Sequence, residues 1–320
     1  MGTAETVEKY VAGTLLDRLG FSGRPFVLTE TGLGIHNHVF YLDIDGSPPL
    51  VVKGIEKRQR LRTIVRCSEH LAEKGISVPG ILYAEEDRRL FGRLGLNIIC
   101  EERILGSTLQ EKPPDEETIG RVARFFSGMH NVRRPAWGRV EQQMSRGLYP
   151  YLLGKVREKI RQWEALDAEL DPGTGPELLG WMRTWRERIE SLACFSLVHG
   201  DPNPGNVIAG TDGRLYVLDT GHVRYLPRAI DYYSLKVHLC RDSRSLAAVF
   251  DTAYSDGMPR DELAGMQGTL PFCEAYVLVH FAATLALRLG RCGAEDPFHD
   301  EFSTNLERIR RMLSGMVRGK

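Results

Sequence analysis

The chain has 320 residues, 42% apolar and 26% charged, with 42 basic and 42 acidic side chains. That length allows two domains, each with its own core, and the balanced charge excludes a global field drawing the chain to nucleic acid or an anionic membrane. Six isolated cysteines (Cys67, Cys100, Cys194, Cys240, Cys273 and Cys292) form no C-x-x-C pair, so local spacing offers neither a zinc ribbon nor a thioredoxin-like motif, and reduced thiols in a cytoplasmic protein are expected.

Val7, Tyr10, Val11, Leu15 and Leu19 recur at helical spacing, so residues 6–19 are expected to form an amphipathic helix. "PFVLTETGLGIHNHVFYLDIDGSPPLVVKGI" then reads as three short strands: one ending near Thr29, one over 38–45 and one over 50–55, with "DGSPP" as the turn between the last two. Helical periodicity returns from Leu61 to Lys74, closed by Gly75. "ILYAEED" and "LNIICEERI" are further strands. After Gly106 helical patterns dominate: 116–130, 151–170, 177–192, and from Ile230 to the end. The longest apolar run, "AYVLVHFAATLAL", is too short to span a bilayer and contains His280, so it reads as a buried helix. The expected organisation is α+β, with a sheet-rich N-terminal lobe over 1–105 and a mostly helical C-terminal lobe over 106–320.

One stretch interrupts the helical half: "SLVHGDPNPGNVIAGTDGRLYVLDTG", residues 196–221. A tight turn between strands accounts for its prolines and glycines. It does not account for His199, Asp201, Asn206 and Asp219. Phosphoryl transfer needs a carboxylate to orient the attacking hydroxyl, and an amide oxygen with a second carboxylate to hold Mg2+ against the phosphates. The kinase signature H-R-D-x-x-x-x-N followed by D-F-G supplies them in that order. Here the strings are His199-Gly200-Asp201-x-x-x-x-Asn206 and Asp219-Thr220-Gly221.

These residues resemble the aminoglycoside phosphotransferase and choline kinase superfamily, which shares the bilobal protein-kinase-like fold. "LVHGDPNPGNVI" resembles its catalytic loop, "LYVLDTG" its metal-binding segment, "AIDYYSL" its structural aspartate segment at Asp231, and "ARFFSGMH" the helix ending at His130. The resemblance implies Asp201 as catalytic base, Asn206 and Asp219 as Mg2+ ligands, ATP as donor and a small-molecule hydroxyl as acceptor. His199 is expected to pack under the loop and bond backbone. "TGLGIHN" stands where the family has a Gly-x-Ser-Asn-like phosphate loop. Gly34 and Asn37 match it, and His36 replaces the small hydroxyl. Lys53, in the apolar strand "LVVKGI", is expected either to snorkel to water or to bind an anion. "NIICEERILG" resembles the hinge strand, implying that adenine meets the Glu102 carbonyl and the Ile104 amide. The Glu101 and Glu102 side chains are expected to be solvated or salt-bridged.

Two features depart from the pattern. A kinase lysine pairs with a glutamate on the next helix, but the corresponding position falls near Ile64. Glu69 is the remaining candidate, unless Lys53 has another partner. The acceptor is also open. The acidic segment with Glu295, Asp296, Asp300 and Glu301 either binds a cation or is solvated, and the tryptophans at 137, 163, 181 and 185 are either core or a cation pocket. The basic end "RIRRMLSGMVRGK" would repel a polycation near the pocket. A small-molecule kinase is therefore expected. The missing helix acid motivates an alternative, a nucleotide-binding pseudokinase with a regulatory or scaffold role. A protein kinase is disfavoured because the gap from Asp219 to Asp231 leaves no room for an activation segment.

Overall fold

The computed structural model describes residues 3–31, 38–86, 95–166, 173–241, 243–290 and 299–317. The chain packs as two compact units. The first holds residues 1–114 and 202–223, the second 115–201 and 224–320. The first unit therefore runs past residue 105 and also takes in the segment from Pro202 to Val223.

In the first unit, helix α1 (Thr3–Tyr10) continues through a wide π-turn over Val11–Leu15 into the short α2 (Leu16–Arg18). Strands β1 (Phe26–Thr31), β2 (His38–Ile44), β3 (Leu50–Ile55), β4 (Ile81–Glu85) and β5 (Asn97–Glu102) form one antiparallel sheet in the order β1-β2-β3-β5-β4. Val7, Val11 and Leu15 cover one face of it, packing on Phe40, Leu42, Val52 and Ile98. Alternation puts the other residues of the same strands on the opposite face. There, helix α3 (Arg58–Glu73) buries Leu61, Ile64, Cys67 and Leu71, at intervals of three and four. It ends at Gly75, whose φ of +74° is the left-handed stop that the sequence anticipated. A second sheet joins β6 (Gly106–Thr108) to β10 (Val207–Gly210) and β11 (Leu215–Val217), in the order β11-β10-β6. This pairing draws residues 202–223 into the unit.

The second unit is built on helices α4 (Glu116–His130), α5 (Leu148–Leu166), α6 (Thr174–Arg183), α7 (Arg186–Glu190), α8 (Ala229–Cys240), α9 (Arg244–Ser255), α10 (Arg260–Leu289) and α11 (His299–Val317). Asp115 caps α4 by accepting from the Thr118 N–H at 2.9 Å, with Glu116 and Glu117 in the first turn favouring its positive end. The apolar run expected to be a buried helix lies within α10, which packs against α5, α8 and α11. By length and composition alone α10 would suit a bilayer, as the one described helix that does, yet half of its apolar window is buried within the unit. A small sheet, β7 (Arg133–Arg134), β9 (Phe195–Val198), β12 (Arg224–Leu226) and β8 (Gly138–Arg139), completes the unit.

Candidate active site

Lys53 lies on β3, the middle strand of the large sheet, opposite Val39 on one side and Ile99 on the other. Its ammonium neither snorkels nor stands alone. It forms an ion pair with Glu101 of β5, the two side chains being 15% and 8% exposed. The helix offers no acid here. Ile64 packs with Ile55, Leu61 and Ile99, and Glu69 is exposed on another side of α3. Five residues turn the helix by about 140° net, so Ile64 and Glu69 cannot share a face. The Glu69 candidate is therefore set aside in favour of Glu101, one of the two glutamates expected to be solvated or salt-bridged.

Asp219 follows β11 and caps a 3-10 turn over Thr220–His222, in a left-handed conformation with φ 48° and ψ 58°. Three contacts place it. The Leu218 N–H, one residue before it, donates to the Asn206 carbonyl at 2.9 Å, which sets Asn206 beside the end of β11. Thr220 Oγ1 donates to the Ile64 carbonyl at 3.2 Å and stands 2.8 Å from Ser68 Oγ, tying this turn to α3. At Gly221 a Cβ would meet Ile64 Cγ1 at 3.2 Å, so any larger residue in this D-T-G string would press on Ile64. Arg60, on the first turns of α3, brings its guanidinium to 3.6 Å from Asp219 Oδ2. Lys53, Glu101, Ile64, Ser68, Asp219 and Thr220 all line one narrow cleft of the first unit. Two residues expected to act on phosphates and metal are thereby brought together.

The donors present fit magnesium. An amide oxygen and a carboxylate are hard oxygen ligands, and magnesium takes one or two such ligands from protein, with phosphate oxygens and waters completing the set. The Asp219 carboxylate already faces a cation, Arg60. A lysine in the same cleft fits phosphate. Glu102 ends β5 and Ile104 follows it in the connector; the Glu102 carboxylate accepts from the Gly80 N–H at 3.1 Å. Gly34, His36 and Asn37 lie outside the described residues, as do Glu295 and Asp296.

In the second unit, Asp201, the third residue of the H-G-D string, is half-buried. The loop before it is held by Asp231 of α8, a fully buried residue. Its carboxylate accepts from the His199 N–H at 2.6 Å and the Gly200 N–H at 3.0 Å. Gly200 has φ +82°, so only glycine turns the chain here without strain. His199 is fully buried, as expected. Behind Asp231, His130 Nε2 lies 3.3 Å from its Oδ2, and His130 Nδ1 lies 2.6 Å from Tyr254 Oη. Burial pushes the His130 pKa down, against the pull of Asp231. A neutral ring beside a carboxylate donates from Nε2 and accepts the tyrosine hydroxyl at Nδ1. Tyr254 and Arg228, which donates to the Tyr254 oxygen at 3.3 Å, carry no sequence motif. His238 of α8 is likewise new. Burial pushes its pKa down to about 4, Asp201 opposing and Arg288, Arg308 and Arg241 reinforcing. Among the tryptophans, Trp137 and Trp163 are buried, and Trp181 and Trp185 pack ring to ring at 5.6 Å.

Comparison with known proteins follows the same line. The model of a family described as "Phosphotransferase enzyme family" matches residues 27–264. No curated protein matches in sequence. Among solved structures, a thermostable mutant of aminoglycoside phosphotransferase APH(4)-Ia in ternary complex with ADP and hygromycin B superposes with a TM-score of 0.66 at 14% identity, over 97% of this chain and 98% of that one. Plasmodium vivax ethanolamine kinase gives 0.67 at 12% identity, over 97% and 88%. Spectinomycin phosphotransferase APH(9)-Ia, in complex with ADP and spectinomycin, gives 0.62 at 13% identity, over 96% and 98%. At such identities the likeness establishes the fold, the α+β protein-kinase-like fold that the catalytic-loop string implied.

Proposed function

The chain belongs to the phosphotransferase enzyme family, and from that premise we propose that it transfers the γ-phosphoryl group of ATP to a hydroxyl of a small molecule in the cytoplasm. The observation that carries this reading is the cleft shared by Lys53 and Asp219, with Asn206 tied by a backbone bond to the residue before Asp219. The relatives complexed with ADP support a nucleotide. Relatives named for hygromycin B, spectinomycin and ethanolamine support a small hydroxylated acceptor of the amino-alcohol, sugar or aminoglycoside class.

In this reading Lys53 draws the phosphates into the cleft and Asn206 and Asp219 hold the metal, as does the loop with Gly34, His36 and Asn37 for the phosphate oxygens. Adenine bonds the Glu102 carbonyl and the Ile104 amide. Bound Mg2+ supplies charge neutralisation at the phosphates. Asp201 accepts the proton of the acceptor hydroxyl as it attacks. Its loop stays in place because Asp231 grips two consecutive N–H groups behind it. A second reading, the pseudokinase, was motivated by the missing helix acid. The Lys53–Glu101 pair supplies an acid from elsewhere and so favours the enzyme.

The test is ADP release by purified protein across amino alcohols, sugars and aminoglycosides. Asp201→Asn is expected to slow transfer by about 10²- to 10⁴-fold, the usual worth of a general base, with ATP affinity near wild type. Silence across the panel with ATP still bound would favour the pseudokinase, and full turnover by Asp201→Asn would remove the base from the scheme.

A further inference from the structure

A lysine as covered as Lys53 needs a fixed negative charge beside it, because an unpaired buried ammonium is strongly disfavoured. In kinases the charge comes from the helix. Here the helix turns Ile64 and Ser68 to the cleft. The charge comes from the sheet. The register of β3 and β5 sets Lys53 opposite Ile99, and alternate residues share a face, so Glu101 lies diagonally across from Lys53 on the cleft side. We infer that Glu101 is the positioning residue for Lys53, holding its ammonium at the phosphate site from strand β5 in place of the helix acid. This rests on the reading of the chain as a nucleotide-dependent phosphotransferase.

Two consequences follow from a strand-borne acid. The Glu101 backbone is paired on both sides, to Val51 of β3 and Ile81 of β4. The orientation of Lys53 is therefore set within the sheet and does not wait on the placement of α3. Glu101 also immediately precedes Glu102, the proposed contact for adenine, so one strand registers the base end of the nucleotide against the phosphate end. An ammonium has three donors. The pair occupies one and leaves two for phosphate oxygens.

The test is a double-mutant cycle with Glu101→Gln, Lys53→Met and both together. It is read by ADP release, by ATP affinity in calorimetry, and by the melting temperature of the nucleotide-free protein. Glu101→Gln is expected to lower turnover about a hundredfold, as misplacement of a reacting partner does, with a smaller loss of ATP affinity. In the Lys53→Met background the same change should add nothing to the loss, since Glu101 acts through Lys53. Adding Ile64→Glu to Glu101→Gln should recover part of the turnover by restoring a helix acid in the same cleft. If Glu101→Gln does not fold, Glu101→Asp keeps the charge one methylene short and should lower turnover without lowering the melting temperature. Losses that multiply in the double variant, or wild-type turnover in Glu101→Gln, would overturn the assignment. Wild-type protein that binds no ATP would overturn the functional reading itself, which separates the two failures.

Discussion

Two aspartates of this chain occupy opposite kinds of place. Asp231 is fully buried and saturated: two backbone N–H groups and His130 surround its carboxylate. Asp219 is 31% exposed, sits on a left-handed backbone and faces the Arg60 guanidinium at 3.6 Å. A buried carboxylate held by three donors fixes structure and is shut off from any ligand. A carboxylate held in place by its backbone, with its oxygens toward a cleft, can exchange one cation for another. The environment separates a structural acid from the acid we propose as a ligand, although both lie in one short stretch of chain.

The widest separation should appear in stability. Asp231→Asn keeps the shape but turns an acceptor into a donor against the two N–H groups it now holds. Leaving such groups unsatisfied in the interior is expected to lower stability by about 3 kcal/mol or more, read as a shifted urea midpoint. Asp219→Asn should leave the midpoint within about 0.5 kcal/mol of wild type, because asparagine tolerates a left-handed backbone, while weakening Mg-ATP binding. Equal losses of stability in the two variants would erase the distinction.

Acid should separate the two units in the same sense. His130, His238 and His280, all in the second unit, have pKa values pushed down by burial, the last two to about 4. Their folded forms stay neutral while the unfolded chain takes up protons below about pH 6.5. Stability is therefore full above pH 6.5 and is lost as pH falls from there toward 4, by up to about 1.4 kcal/mol per pH unit for each histidine. Hydrogen exchange between pH 7 and 5 should show protection falling first in α8 and α10. Parallel loss in the β1–β5 sheet would break the contrast.

What the sequence made legible follows from how local the cause is. Strand β3 and helix α4 appear with the expected bounds, because one is a short, mostly apolar run after a Pro/Gly turn and the other starts at a capping aspartate. The helical pattern over 177–192 breaks near Trp185 into α6 and α7, and the stretch after Ile230 breaks into separate helices at Arg241 and at Gly257–Pro259. The return of residues 202–223 to the first unit was hidden, since β6 is a three-residue strand with no pattern and its partner β10 lies a hundred residues away. In the site, Asp201, Asn206 and Asp219 were legible as a spaced string. The partner of Lys53 was not. It depends on which strands are neighbours and on their register, and β3 meets β5 rather than β4. The network of Tyr254 and Arg228 behind Asp231 was hidden for the same reason.

The smallest expected effect, and the finest probe of the contrast, concerns Arg60. Its guanidinium faces the carboxylate that we assign to the metal. Both groups are partly solvated, so the pair is weak and readily exchanged. If Arg60 only neutralises Asp219 in the nucleotide-free protein, the metal must displace it, and Arg60→Met should lower the Mg2+ concentration for half-maximal ATP binding by a few fold. Melting temperature should barely change, since a surface pair contributes at most about 1 kcal/mol. A weaker Mg-ATP affinity in Arg60→Met would instead give Arg60 to the phosphates, and the openness of Asp219 would then belong to a two-cation site shared between arginine and metal.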